Sequence, residues 1–195
     1  MPHDLQRFRS ICNDAVSAIE LSLEQLASGV LNAGDLLAGA LEVGGKLLVC
    51  GNGGSAAEAM HMSSELVGRF EMQRPGLAAI ALGSDCSVLT SLGNDFDYEA
   101  IYAKQVQALG LEQDVLVALT TSGNSANICR AIEAAHDAEM PVLLLSGKDG
   151  GRAAQLLGEG DIELRVPSAS TARIQEVQLL LIHALCDHID HSLFA

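Results

Sequence analysis

Apolar residues recur at three-to-four spacing through the first 44 positions, with Ile11, Ala15, Ile19, Leu23 and Leu26 on one face. That spacing is helical. Asn32-Ala33-Gly34-Asp35 interrupts the run, and such a breaker cluster predicts two successive N-terminal helices. An amphipathic helix pair ahead of the first strand has little sheet to cover alone. Its spare apolar face is expected to pack in an oligomer.

The pattern then changes to a regular alternation. Short apolar runs at Lys46–Cys50, Leu77–Leu82, Asp114–Leu119, Val142–Ser146 and Asp161–Val166 predict strands. Helical stretches separate or follow them, at Ser55–Phe70, Tyr98–Leu109, Ala126–Ala138, Gly151–Leu157 and Thr171–Ser192. Alternating βα units with almost continuously apolar strands predict an α/β fold, a five-stranded parallel sheet with helices on both faces. Residues 1–195 contain no linker, low-complexity tract or obvious repeat, so a single domain with an N-terminal helical extension (1–44) is expected.

Composition fits this reading: 49% of the residues are hydrophobic and 18% charged, which suits a core and excludes disorder. With no Trp and 3% aromatics, the core is built from Ala, Leu, Val and Ile. Five cysteines, an odd number with no CxxC spacing, exclude a Cys-based zinc motif and favour a reducing compartment. The N-terminus has no apolar signal-peptide region and no run approaches a membrane span, so a cytoplasmic location is expected.

Charge narrows the chemistry. With 25 acidic and 11 basic residues the net charge is −14, which repels nucleic acid and anionic membranes. An anionic ligand would have to be held locally, by helix N-termini, backbone N–H groups and hydroxyls. Two loops answer that requirement, each following a predicted strand and opening a predicted helix. The first is Gly51-Asn52-Gly53-Gly54-Ser55, whose glycines let backbone N–H groups approach an anion. The second is Thr120-Thr121-Ser122-Gly123-Asn124-Ser125, which sets four hydroxyls beside a helix start. In open α/β sheets both would lie at the carboxyl ends of strands, where ligands bind. The same residue types also make ordinary βα turns and N-caps, so the pair carries the inference better than either loop alone. Neither loop fits a dinucleotide or nucleotide-triphosphate fingerprint.

At this point a family resemblance becomes specific. TTSGNS after a strand resembles the signature of SIS (sugar isomerase) domains. GNGGSAAEAMHMSSELVGRF, GNDF at Gly93–Phe96, TSGNSAN, GKDGG at Gly147–Gly151 and ARIQE at Ala172–Glu176 together resemble the phosphoheptose isomerases over nearly the whole chain. The resemblance implies a homotetramer with the N-terminal helices at its centre. It also implies interconversion of sedoheptulose 7-phosphate and D-glycero-D-manno-heptose 7-phosphate, the first step toward the heptose of lipopolysaccharide.

Moving a carbonyl between C2 and C1 needs a base for a carbon-bound proton and an acid/base for the oxygens. His61 and Glu65 are spaced i,i+4 on the helix after the first loop. Glu65 is about 15 Å up that helix from the loop at 1.5 Å per residue, a span suited to a small phosphorylated substrate. The resemblance maps the catalytic pair onto Glu65 as base and His183 as acid/base partner. It maps substrate contacts onto Asn52, Gly53, Gly54, Ser55, Glu65, Asn94, Asp95, Thr120, Thr121, Ser122, Ser125 and Gln175. It further implies one zinc per subunit on His61, Glu65, Gln175 and His183. A His–Glu pair at i,i+4 is a reasonable zinc half-site, whereas Gln175 and His183 stand about 12 Å apart along a straight helix. A structural or substrate-orienting metal is therefore expected rather than a Lewis acid.

Other polar residues have plainer readings. His3, His136, His188 and His191 carry no motif and read as surface residues, and Met60 and Met62 as packing. Asp187, four residues after His183, reads either as the orienting partner of its imidazole or as ordinary helix polarity. Two positions depart from some family members: Thr120 stands where Ser is common, and Ala172 where Asp occurs. A rival reading exists in another class, since RFEMQRP, EAIYAKQVQALG and ALCDHIDHSLF also resemble the initiator-associating proteins, which bind the bacterial replication initiator. Those relatives lack the acid/base pair, which here is present as Glu65 and His183. A SIS module that senses a sugar phosphate without turnover is a third reading.

Overall fold

The computed structural model describes residues 2–195, with side chains from Asp4 onward; the side chain of His3 lies outside the described residues. Five strands form one all-parallel sheet in the order β2-β1-β3-β4-β5. They are β1 (Leu47–Gly51), β2 (Ala79–Ala81), β3 (Val115–Leu119), β4 (Val142–Gly147) and β5 (Ile162–Val166). Alternate strand residues feed two separate cores. Leu47, Val49, Val115, Val117 and Leu119 face α1 (Pro2–Glu42), α2 (Gly54–Val67) and α7 (Thr171–Phe194). Leu48, Cys50, Leu116, Ala118 and Leu144 face α4 (Ala103–Leu109), α5 (Ala126–Asp137) and α6 (Gly151–Leu156). Both layers bury apolar surface, which explains the continuous apolar strand runs in the sequence.

The N-terminal region corrects the expected helix pair. α1 is one uninterrupted helix of 41 residues, about 60 Å long at 1.5 Å per residue. Gly34 does not break it: a Cβ there would meet the His188 ring at 2.3 Å. The glycine lets α1 and α7 approach closely, and that packing offsets the ~1 kcal/mol that Gly costs inside a helix. Asp35 beside it pairs with His188 Nε2 at 2.7 Å, and Arg173 of α7 donates to the Ile11 carbonyl at 2.9 Å. Leu5, Phe8, Ile11, Val16, Ile19, Leu23 and Leu31 of α1 stay exposed.

Between β2 and α4 lies a helix the apolar pattern does not predict, α3 (Cys86–Asp95). None of its residues is fully buried; its apolar side is short, with Leu89 and Leu92 packed partly against the core. Its signal is the cap: Asp85 accepts from the backbone N–H groups of Ser87 and Val88. The expected helix Tyr98–Leu109 is instead a 3-10 turn, Tyr98–Ala100, followed by α4. β2 is shorter than its apolar run, as suits an edge strand.

The strand order positions the site. From β1 the chain moves to β2 on one side and then returns to β3 on the other, so the connections diverge between β1 and β3. In doubly wound sheets this switch point opens a crevice at the carboxyl edge. Both polar loops rise from it.

Candidate active site

Gly51–Ser55 leaves β1 and enters α2, with Gly53 in the left-handed region at φ 58°. Thr120–Ser125 leaves β3 and enters α5, whose N-cap Ser125 makes no side-chain cap bond and keeps its hydroxyl available. The two loops and the start of α7 line a cavity of about 310 Å³, walled by Asn52, Gly54, Ser55, Leu119, Thr120, Thr121, Ser125, Thr171 and Gln175. Small-molecule clefts begin at roughly this size. No lining residue is charged. Whatever anion sits here is met by hydroxyls, amides and helix N-termini, as the charge of the chain requires.

Two glycines make the arrangement possible. At Gly54 a Cβ would stand 2.3 Å from Gln175 Nε2, so its absence lets the Gln175 amide lie over the first loop. At Gly123, φ is 68° and a Cβ would meet the Gly150 carbonyl at 1.9 Å. There the hydroxyl loop seats against the loop after β4, and Ala153 N–H donates to the Gly123 carbonyl at 2.8 Å. Thr120 is buried and its Oγ1 accepts from Gly123 N–H at 3.1 Å, while Ser122 Oγ accepts from Asn124 N–H.

Asn52 is fixed by residues the sequence reading did not single out. Asn127 of α5 exchanges two amide bonds with it, both 2.8 Å, and the Tyr98 hydroxyl donates to Asn52 Oδ1 at 3.1 Å. Asn127 is 2% exposed, a polar side chain enclosed at the second position of a helix. Its one sequence signal is that polarity on an otherwise apolar face. Thr171 was likewise missed; it opens α7 at the cavity wall.

A second cluster sits farther along α2. His61 Nε2 and His183 Nε2 are 2.9 Å apart, so one ring donates to the other. Glu65 Oε1 lies 3.6 Å from His61 Nε2. Phe70 stacks on the His183 ring, with centroids 5.6 Å apart and 29° between planes. Thus Glu65, His61 and His183 come together from two helices far apart in sequence. Gln175, two turns earlier on α7, belongs to the cavity wall. Asn94 and Asp95 lie on the exposed end of α3, bonded to each other at 2.8 Å, and Gly53 and Ser122 are in the loops but outside the cavity lining.

Several plain readings change. Asp187 turns toward His191 at 3.6 Å, which supports helix polarity and leaves His61 as the partner of His183. His136 and His188 are half-buried and paired with Asp161 and Asp35; among the described residues of that set, His191 alone is exposed. Met62 is fully buried, whereas Met60 is exposed. Glu58, one turn past Ser55, encloses an Oε2 atom with no hydrogen-bond partner. Burial pushes its carboxyl up to about 7, against a smaller lowering by the Ser55 hydroxyl. Burial also pushes the Cys50 and Cys186 thiols up to about 12, so they are unreactive packing groups, and all five cysteines are free.

The fold and this cradle define the class: a family model described as SIS domain matches residues 12–147. The phosphoheptose isomerase of Alkalilimnicola ehrlichii is 53% identical over 99% of this chain and 97% of that protein. Two solved structures superpose closely. A phosphoheptose isomerase from Francisella tularensis has TM-score 0.94 at 45% identity, and phosphoheptose isomerase GmhA from Neisseria gonorrhoeae 0.92 at 44%; each comparison covers 96% of this chain and 98% of the other. The chain belongs to the phosphoheptose isomerase family of SIS-domain enzymes. The initiator-associating alternative is not favoured by these relatives, all named as isomerases.

Proposed function

We propose that this chain interconverts sedoheptulose 7-phosphate and D-glycero-D-manno-heptose 7-phosphate by proton transfer through an enediol. The observation that carries the reading is the pairing of an uncharged hydroxyl cavity with a Glu65–His61–His183 cluster farther up the same helix. Thr120, Thr121, Ser122, Ser125, Ser55, Asn52 and the Gly53–Gly54 backbone would hold the phosphate end, and Gln175 the sugar chain beyond it. Asn94 and Asp95 would reach the substrate from the rim. Glu65 takes the proton from the carbon next to the carbonyl and returns it to the former carbonyl carbon of the enediol, while His183 passes a proton between the two oxygens. His61 sets the His183 tautomer, because a ring that accepts at Nε2 carries its own proton on Nδ1.

One zinc per subunit on His61, Glu65, Gln175 and His183 is part of the proposal. The donors fit by type: two imidazole nitrogens and a carboxylate already lie within 3.6 Å contacts. As the side chains stand, the rings bond to each other, and among the described residues no group of three or more His, Cys, Asp and Glu is arranged to hold a metal. Bound there, zinc would orient the substrate oxygens and fix the two rings. His183 and Glu65 would then have to transfer protons through the ring nitrogen and carboxylate oxygen that the metal leaves free.

We further propose a cytoplasmic homotetramer feeding heptose to lipopolysaccharide. No helix among the described residues is long and apolar enough to cross a membrane. The exposed apolar face of α1 and the groove it forms with Val177, Leu180, Leu181 and Ala184 of α7 support the assembly.

The test is turnover of sedoheptulose 7-phosphate by the purified chain, with Glu65→Gln and His183→Gln alongside. Loss of a positioned acid or base is expected to lower kcat by about 10²–10⁴-fold with the fold intact. An inactive wild-type protein would overturn the reading, and full activity in either variant would overturn the residue roles.

A further inference from the structure

α2 and α7 run side by side, and their relative placement is fixed from the end away from the cavity. Beyond Val67 the chain runs without regular structure toward β2. In that segment Phe70 covers the His183 ring. Four residues on, the Arg74 side chain is wholly enclosed. Its Nε donates to Asp190 Oδ1 at 2.5 Å, its Nη2 to the Glu65 carbonyl at 2.9 Å, and its Nη1 to the Leu66 carbonyl at 2.9 Å and the Pro75 carbonyl at 3.0 Å. Glu65 and Leu66 belong to the last turn of α2, whose carbonyls have no partner within the helix. Asp190 stands seven residues after His183, two turns along α7 on the same face, and is 2% exposed.

Stability alone does not account for this pair. Its second carboxylate oxygen, Asp190 Oδ2, is buried without a partner. Enclosed ion pairs are often matched or surpassed in stability by apolar residues of similar size. Apolar residues could not bind the main chain of Glu65 while holding α7. A planar fork of donors can.

We propose that Arg74 and Asp190 are a positioning pair for proton transfer. They lock the last turn of α2 against α7, so that Glu65 keeps its place beside His61 and His183, and they seat the 68–76 segment so that Phe70 lies on the imidazole. The inference rests on the isomerase reading. It adds two residues that touch neither substrate nor the reacting atoms.

The experiment is steady-state kinetics of the full chain carrying Arg74→Met with Asp190→Leu, beside Arg74→Lys. The double variant removes both buried charges together, so a stable fold is expected. Misplacing a catalytic group by about 1 Å costs about 10²-fold in rate, so kcat is expected to fall about 30- to 100-fold while KM stays within about threefold. Arg74→Lys keeps the ion pair but cannot reach the carboxylate and the Glu65, Leu66 and Pro75 carbonyls together, and its kcat is expected to fall similarly. Should the double variant not fold, Arg74→Lys carries the same comparison. A kcat within twofold of wild type, or a loss confined to KM, in the folded variants overturns the positioning role. Absence of turnover in the wild type would overturn the isomerase reading instead, so the two failures are distinguishable.

Discussion

His61 Nε2 stands 2.9 Å from His183 Nε2, across 122 residues of sequence, and this contact joins the helix after the first loop to the last helix of the chain. One ring must donate and the other accept, so each fixes the tautomer of the other. With Glu65 Oε1 at 3.6 Å from His61, the three side chains form one cluster between α2 and α7.

Removing the ring partner should therefore matter without touching phosphate binding. His61→Ala leaves His183 without its Nε2 partner and is expected to lower kcat about 10²-fold, with KM little changed. Steady-state kinetics with sedoheptulose 7-phosphate checks this. An unaltered kcat would show that His183 orients itself.

Asn127 is expected to act through Asn52. Asn127→Leu removes both reciprocal amide bonds and leaves the Asn52 amide held only by the exposed Tyr98 hydroxyl. A lost buried hydrogen-bond partner costs about 1–3 kcal/mol, so KM should rise about tenfold while kcat changes less. A titration of inorganic phosphate against the same variant should show weaker binding.

The two glycines should fail differently. Gly54→Ala pushes against the movable end of Gln175, so the protein is expected to fold and lose affinity. Gly123→Ala meets the Gly150 main chain at a left-handed φ, where nothing flexible can yield. Thermal unfolding should show Gly123→Ala destabilised by about 2 kcal/mol or more and Gly54→Ala nearly unchanged.

Glu58 makes a pH-dependent prediction. Burial raises its carboxyl from its usual 4.5 to about 7. The unfolded chain therefore releases this proton at lower pH than the folded chain does. Stability falls as pH rises from about 4.5 to about 7 and is level above that window. Glu58→Gln should raise the stability at pH 8 and leave it little changed at pH 4. Because the side chain is only half-buried, screening limits the gain to about 1 kcal/mol. Equal stability shifts at both pH values would assign the effect to packing instead.

The α1–α7 groove predicts an assembly that can be weakened. Leu23→Glu places a charge among Ile19, Val30, Leu180 and Leu181. Sedimentation should show a smaller species than the wild-type chain at equal concentration. An unchanged species would move the interface off this groove.

The βα alternation, the parallel sheet and both polar loops were legible in the chain itself. Strands buried on both faces must be continuously apolar, and two strand-to-helix loops rich in hydroxyls and glycines stand out in so acidic a chain. The His61–Glu65 pair was legible too, because helical spacing sets residues four apart on one face. What lay outside that reach depended on long-range packing. Gly34 reads as a breaker in the local sequence, and only the His188 ring against it explains an unbroken α1. α3 has only the short, half-buried pair Leu89 and Leu92 to announce it, and the Tyr98–Leu109 run bends where Ala100 and Tyr102 enter the core beneath the first loop. Asn127 beside Asn52, His61 against His183, and Arg74 reaching Asp190 each join positions 75 to 122 residues apart. Periodicity carries information over one or two turns. Which helix then lies beside which is decided by the strand order, and that order set His61 and Glu65 of α2 beside His183 of α7.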